Sequence, residues 1–134
     1  MTDKPTADAQ TPIVIRASDA DRVTNLAIAA EDRLPQVAAL LLAELNRAEV
    51  VPDDELPADI VTMQATVKFI DEANGVERTL QLVYPTEADF DAGRISILSL
   101  VGAGLLGLKA GQSIMWPDRA KKERLLRIID VMQG

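Results

Sequence analysis

Three groups of residues could carry chemistry in this 134-residue chain. The first is Gly102-Ala103-Gly104-Leu105-Leu106-Gly107, which matches G-x-G-x-x-G behind a run that reads as a strand. That spacing lets a helix N-terminus cradle a pyrophosphate when a βαβ unit surrounds it. The surroundings argue against it here. Gly111 cuts the following helix short, Pro117 breaks what comes next, and too little chain remains for another βαβ unit of about 30 residues. The glycines read better as positions where a short helix presses its backbone against a sheet. The second group is basic: Arg119, Lys121, Lys122, Arg124 and Arg127. Without interleaved aromatics these fit a solvated strand edge better than a phosphate or nucleic-acid site. The third is the acidic pair Glu31-Asp32, followed by Arg33.

The missing residue types exclude as much as the present ones suggest. There is no cysteine, so disulfide and thiolate chemistry is out, and there is no histidine, the commonest general base and metal ligand. No apolar run approaches the ~18 residues of a membrane span, and the start of the chain lacks a signal pattern, so a cytoplasmic protein away from membranes is expected. The net charge of −7 is uneven. Residues 1–62 hold 5 Lys/Arg against 12 Asp/Glu, whereas residues 63–134 hold 9 of each. An acidic front half repels nucleic acid and suits a basic protein surface or simple solubility.

The elements that must position these groups fall into two sets. Residues 1–11 are small and polar and read as a disordered tail. Pro12-Ile13-Val14-Ile15-Arg16 reads as an edge strand. Ser18 is a helix cap candidate, with Asp19 and Asp21 at the positive end of the dipole. The spacing of Ala20, Val23, Leu26, Ala27 and Ala30 predicts a helix over about 19–30. Pro35 suits the first turn of a second helix running to about residue 48. Its inner run, Ala38-Ala39-Leu40-Leu41-Leu42-Ala43, is apolar nearly all round, so a second surface must be covered, by a sheet or by another copy of the chain. The two helices form an antiparallel hairpin with Glu31, Asp32 and Arg33 at its tip. Residues 50–57, with two prolines and an acidic cluster, read as a linker.

The rest is β-rich. Residues 60–70 alternate apolar and polar. Asn74-Gly75 predicts a hairpin turn back into residues 78–84. Residues 86–93 read as an acidic loop. Residues 95–99 read as a strand turning at Leu100-Val101-Gly102 into a helix over 103–108, with Lys109 and Gly111 as stop signals. Strands over 112–116 and 124–132, joined by a turn at Pro117-Asp118, complete about five. The fold class expected is α+β: an antiparallel helical hairpin followed by an antiparallel sheet domain with one short helix. The divisions are a tail over 1–11, strand, hairpin and linker over 12–57, and the sheet domain over 58–134.

The order of several short runs resembles the Rnk proteins, named regulators of nucleoside diphosphate kinase. These runs are Asp59-Ile60-Val61-Thr62-Met63, Val67-Lys68-Phe69, Leu82-Val83-Tyr84-Pro85, residues 101–108, and Gly111-Gln112-Ser113-Ile114, with Ala43-Glu44-Leu45-Asn46-Arg47-Ala48 in the front half. That family is similar to the Gre transcript-cleavage factors, sharing their FKBP-like C-terminal domain and carrying a shorter coiled coil. The resemblance implies a non-enzymatic regulator, a monomer without cofactor or sequence-specific nucleic-acid contact. It implies binding to RNA polymerase at its secondary channel in competition with Gre-type factors. Leu98, Ser99, Leu100 and Val101 correspond to the loop that grips the channel rim in Gre factors; the family usually has proline where this chain has Leu100. Gre factors hold a catalytic magnesium ion on two tip carboxylates, so Glu31 and Asp32 are metal candidates by the same implication, against a plain solvated turn. Two alternatives stay open: a magnesium-dependent cleavage stimulator, and a homodimeric adaptor built on the apolar second helix. The FKBP-like fold raises prolyl isomerase activity, which the shortage of aromatics (Phe69, Tyr84, Phe90 and Trp116) argues against.

Overall fold

The computed structural model describes residues 12–117 and 120–133; the expected tail over 1–11 lies outside them, as do Asp118 and Arg119 of the expected turn and basic cluster. The order is β1 (Val14–Arg16), α1 (Ala17–Ala29), α2 (Pro35–Arg47), β2 (Glu49–Val51), β3 (Thr66–Asp71), β4 (Val76–Val83), β5 (Arg94–Ser96), α3 (Leu100–Leu105), β6 (Ser113–Pro117) and β7 (Glu123–Met132). The fold is α+β, with a helical hairpin first and a five-stranded sheet of order β5-β4-β3-β7-β6 after it. The sheet is mixed: β5 lies parallel to β4, and the remaining pairs are antiparallel. Among the described residues no helix is long and apolar enough to cross a membrane.

Pro35 opens α2 as its sequence position suggests. Val23 and Ala27 of α1 face Val37, Ala38 and Leu41 of α2, all buried. Part of the apolar excess of α2 is covered by the sheet domain, because α2 also packs on α3, while Leu40, Leu42 and Leu45 stay half-buried and Ala39 and Ala43 exposed. One continuous core runs from Val23, Ala27 and Leu41 through Ile13 and Ile15 to Leu105, Leu82, Val67 and Ile128.

The start of α1 departs from expectation. Arg16 occupies the cap position and no side chain caps the helix from there. Ser18 sits inside the first turn and donates its backbone N–H (3.0 Å) and its hydroxyl (2.6 Å) to the carboxylate of Asp53. A residue 35 positions away thus satisfies one of the free backbone donors of the helix end. Asp19 does lie in the first turn of α1, at the positive end of the dipole, and it is buried there, 3% exposed.

The expected linker over 50–57 overlaps β2 at Val50 and Val51, and β2 pairs in parallel with β1. On its other side Val14 N–H donates to the Gly107 carbonyl at 3.1 Å, so β1 is enclosed rather than an edge. The alternation over residues 60–70 does predict burial: Val61, Met63, Ala65, Val67 and Phe69 are all inside. Regular strand begins only at Thr66, because Gln64 adopts φ +75° and breaks the extended run. The Asn-Gly turn is present, with Gly75 at φ +72° and Asn74 Oδ1 accepting from Val76 N–H at 3.0 Å.

Around the central apolar stretch, α3 begins three residues earlier than its sequence suggests. Ser99 caps it, accepting from Gly102 N–H at 3.0 Å. It stops before Gly107, whose φ of +85° ends the helix where Lys109 and Gly111 had been the expected signals. A Cβ on Gly102 would lie 2.2 Å from the Ser96 carbonyl oxygen, and one on Gly104 would lie 2.9 Å from the Trp116 ring. Close helix-to-sheet packing accounts for both.

Candidate functional site: an apolar pocket at the strand-to-helix turn

The turn from β5 into α3 forms one wall of an open cavity of about 440 Å³. Trp116 of β6 provides the floor. Its indole N–H donates to the Leu100 carbonyl at 2.7 Å, which fixes the ring and leaves its apolar surface facing inward. Leu100 and Val101, each half-buried, stand on the wall from the first turn of α3. Ile95 and Leu126 close the back from the sheet. Phe90 stands at the rim, on a short 3₁₀ turn held by Asp89 at its start and by Gly93 at φ +80° at its end. It is 62% exposed, the most exposed large apolar side chain among the described residues.

The polar residues of the lining are Asp71, Arg94, Ser96, Ser99 and Arg124, of which Asp71 and Arg124 are directly paired. Asp71 Oδ2 accepts from Arg124 Nε at 2.8 Å and Nη2 at 2.6 Å, while Asp71 Oδ1 accepts from Ala73 N–H at 3.0 Å. Both charges are neutralised locally, so the pocket offers an apolar floor beside a fixed ion pair. Such a surface can take an apolar side chain from a partner and orient polar groups around it.

Of the four residues expected to grip a partner, Ser99, Leu100 and Val101 line this pocket. Leu98 does not: it is 9% exposed and joins the core. Sequence reasoning missed Phe90, Trp116, Ile95 and the Asp71–Arg124 pair. Phe90 did leave a signal, since an aromatic in an acidic, non-periodic loop has no core face to occupy.

The hairpin tip is separate. Glu31, Asp32 and Arg33 are all exposed, on the turn between α1 and α2. Among the described residues no three potential ligand side chains converge on a metal site. Magnesium is commonly held by one or two carboxylates with water and phosphate filling the other positions, so the tip pair matches such a site in number only. In the basic cluster, Arg124 is taken by Asp71 and Arg127 Nε lies 3.1 Å from Glu72 Oε2, so two of its members brace the sheet.

Comparison with known proteins is consistent along the chain. Residues 56–133 match the family described as "Transcription elongation factor, GreA/GreB, C-term", and residues 11–51 match "Rnk N-terminus". A "Regulator of nucleoside diphosphate kinase" from Escherichia coli (strain K12) is 38% identical over 104 residues, covering 78% of this chain and 76% of the relative. A "Transcription elongation factor GreA" from Azorhizobium caulinodans is 46% identical over 71 residues, but the match spans only 45% of that protein. Among solved structures, "Prokaryotic transcription elongation factor GreA/GreB from Nitrosomonas europaea" has a TM-score of 0.70 and 40% identity, covering 96% of this chain and 99% of the other.

Proposed function

The chain belongs to the Rnk family of Gre-type factors, and from that premise we propose a non-enzymatic regulator of transcription. It docks on RNA polymerase near the secondary channel through the pocket of Phe90, Leu100, Val101 and Trp116, and it competes there with Gre-type factors. The observation that carries the reading is the open apolar pocket itself, built by the turn that the Gre resemblance assigns to the channel rim. A largely exposed aromatic beside a tethered apolar floor has the composition of a binding anchor. The connection to nucleoside diphosphate kinase rests on the name of a relative and adds no residue to the site.

The test is binding of labelled protein to core RNA polymerase, with Leu100→Asp as the variant. Leu100 is half-buried on the pocket wall, so the substitution puts a charge on the proposed contact. Binding by the parent and loss of binding by a variant with unchanged circular dichroism support the pocket. Unchanged binding by the folded variant rules it out. If Leu100→Asp unfolds, the exposed Phe90 serves in its place.

A further inference from the structure

The root of α1 holds a polar arrangement that the docking pocket does not use. Asp19 and Thr62 are the buried polar residues among the described core. Asp19 Oδ2 accepts from Arg16 Nε at 2.8 Å and from the backbone N–H of Met63 at 3.1 Å. Arg16 Nη2 in turn donates to the Met63 carbonyl at 3.2 Å. Two side chains at the start of α1 thus hold both backbone polar groups of one residue in the sheet domain, 44 positions away.

That residue lies in a segment with little freedom. Next to it Gln64 is held at φ +75°, where its N–H donates to the Leu82 carbonyl at 2.6 Å. A non-glycine residue stays in that region only where its surroundings over-determine it. Two further ties fasten the same helix start: Asp53 to Ser18, and the Arg22 guanidinium 4.0 Å from the centroid of the Tyr84 ring. Apolar packing elsewhere between hairpin and sheet is non-directional. Hydrogen bonds have preferred lengths and angles, so these ties specify direction as well as contact. A carboxylate is also costly to bury unless its partners compensate it, and both partners named here join two different elements.

We propose that Asp19 is a positioning residue that sets the angle of the helical hairpin to the sheet body, acting through Arg16 and Met63. The lever is long. α1 spans about 20 Å, so a rotation of about 10° at its root moves the tip by about 3 Å. That this angle matters to a bound polymerase rests on the docking reading; the angle itself does not.

The chain has no cysteine, so Ala29→Cys at the exposed end of α1 and Thr79→Cys on exposed β4 accept spin labels. Pulsed electron paramagnetic resonance on the doubly labelled parent is expected to give one narrow distance. Asp19→Ala is expected to broaden or shift that distance by about 3 Å at unchanged helix content, the lever-arm displacement. Arg16→Lys keeps the charge and loses the fork, and should move it the same way by less. Should Asp19→Ala fail to fold, Arg16→Lys decides. A folded variant with the distance distribution of the parent overturns the proposal, because core packing alone would then set the angle. Failure of the unsubstituted parent to bind polymerase, beside a shifted distance in Asp19→Ala, sinks the docking reading and leaves this one intact.

Discussion

At the scale of single residues, exposure separates binding from stability. Phe90 is mostly in solvent, so Phe90→Ala should change the unfolding free energy by no more than about 0.5 kcal/mol. If it anchors a partner, the same change costs more than about 1 kcal/mol of binding, a loss of roughly fivefold or more. Denaturant unfolding alongside polymerase titration checks both. A large loss of stability would place the ring in the core instead. Gly104 behaves in the opposite way. A Cβ there meets the Trp116 ring at 2.9 Å, and that ring is tethered to the Leu100 carbonyl. Gly104→Ala should therefore destabilise by about 1–3 kcal/mol through overpacking and distort the pocket floor. A shift of the denaturant midpoint is the expected sign; an unchanged midpoint would mean that the ring moves freely.

At the scale of elements, the tie between Asp53 and Ser18 carries a pH dependence. Bonds from the Ser18 hydroxyl and then its N–H hold the Asp53 carboxyl below its ordinary value of 3.8. A carboxyl lowered in the folded state contributes stability above its unfolded pKa and loses it as pH falls through the folded one. The contribution is therefore complete at neutral pH and fades below 3.8. Asp53→Asn should be less stable than the parent at neutral pH, and the difference should vanish in acid. A difference that persists in acid would contradict the assignment.

The same scale explains what was legible in the sequence. Periodicity and Pro35 marked the two helices, and Asn74-Gly75 marked the β3–β4 turn, because those signals are local. The partner of Ser18 was hidden, since Asp53 reaches it from a segment that carries no helical or strand period. β2 was hidden for a related reason: a three-residue strand is too short to show alternation. Residues 60–65 alternate in sequence like a strand, yet Ile60 and Thr62 are buried along with Val61 and Met63, and only the backbone shows the reversal at Gln64. The pocket was half legible. Its wall at Ser99, Leu100 and Val101 lies in one run, whereas Phe90, Trp116 and the Asp71–Arg124 pair come from separate segments that only the folded sheet brings together.

At the scale of the whole molecule, the hairpin arms of about 20 Å decide how the tip carboxylates are read. On the proposed docking, an arm of that length is short for reaching a buried active centre, which weighs against a catalytic role for the tip. In stalled transcription complexes, RNA cleavage should stay at its basal rate when this protein is bound. A magnesium-dependent rise that Glu31→Gln or Asp32→Asn abolishes would contradict that and make the tip catalytic by assistance. The central claim is the shared docking site, and competition tests it most directly. Core RNA polymerase carrying a fluorescent Gre-type factor is titrated with the purified protein. The account predicts progressive displacement by the parent and none by a folded Leu100→Asp variant. An undisturbed Gre signal at micromolar concentrations of the parent would contradict it.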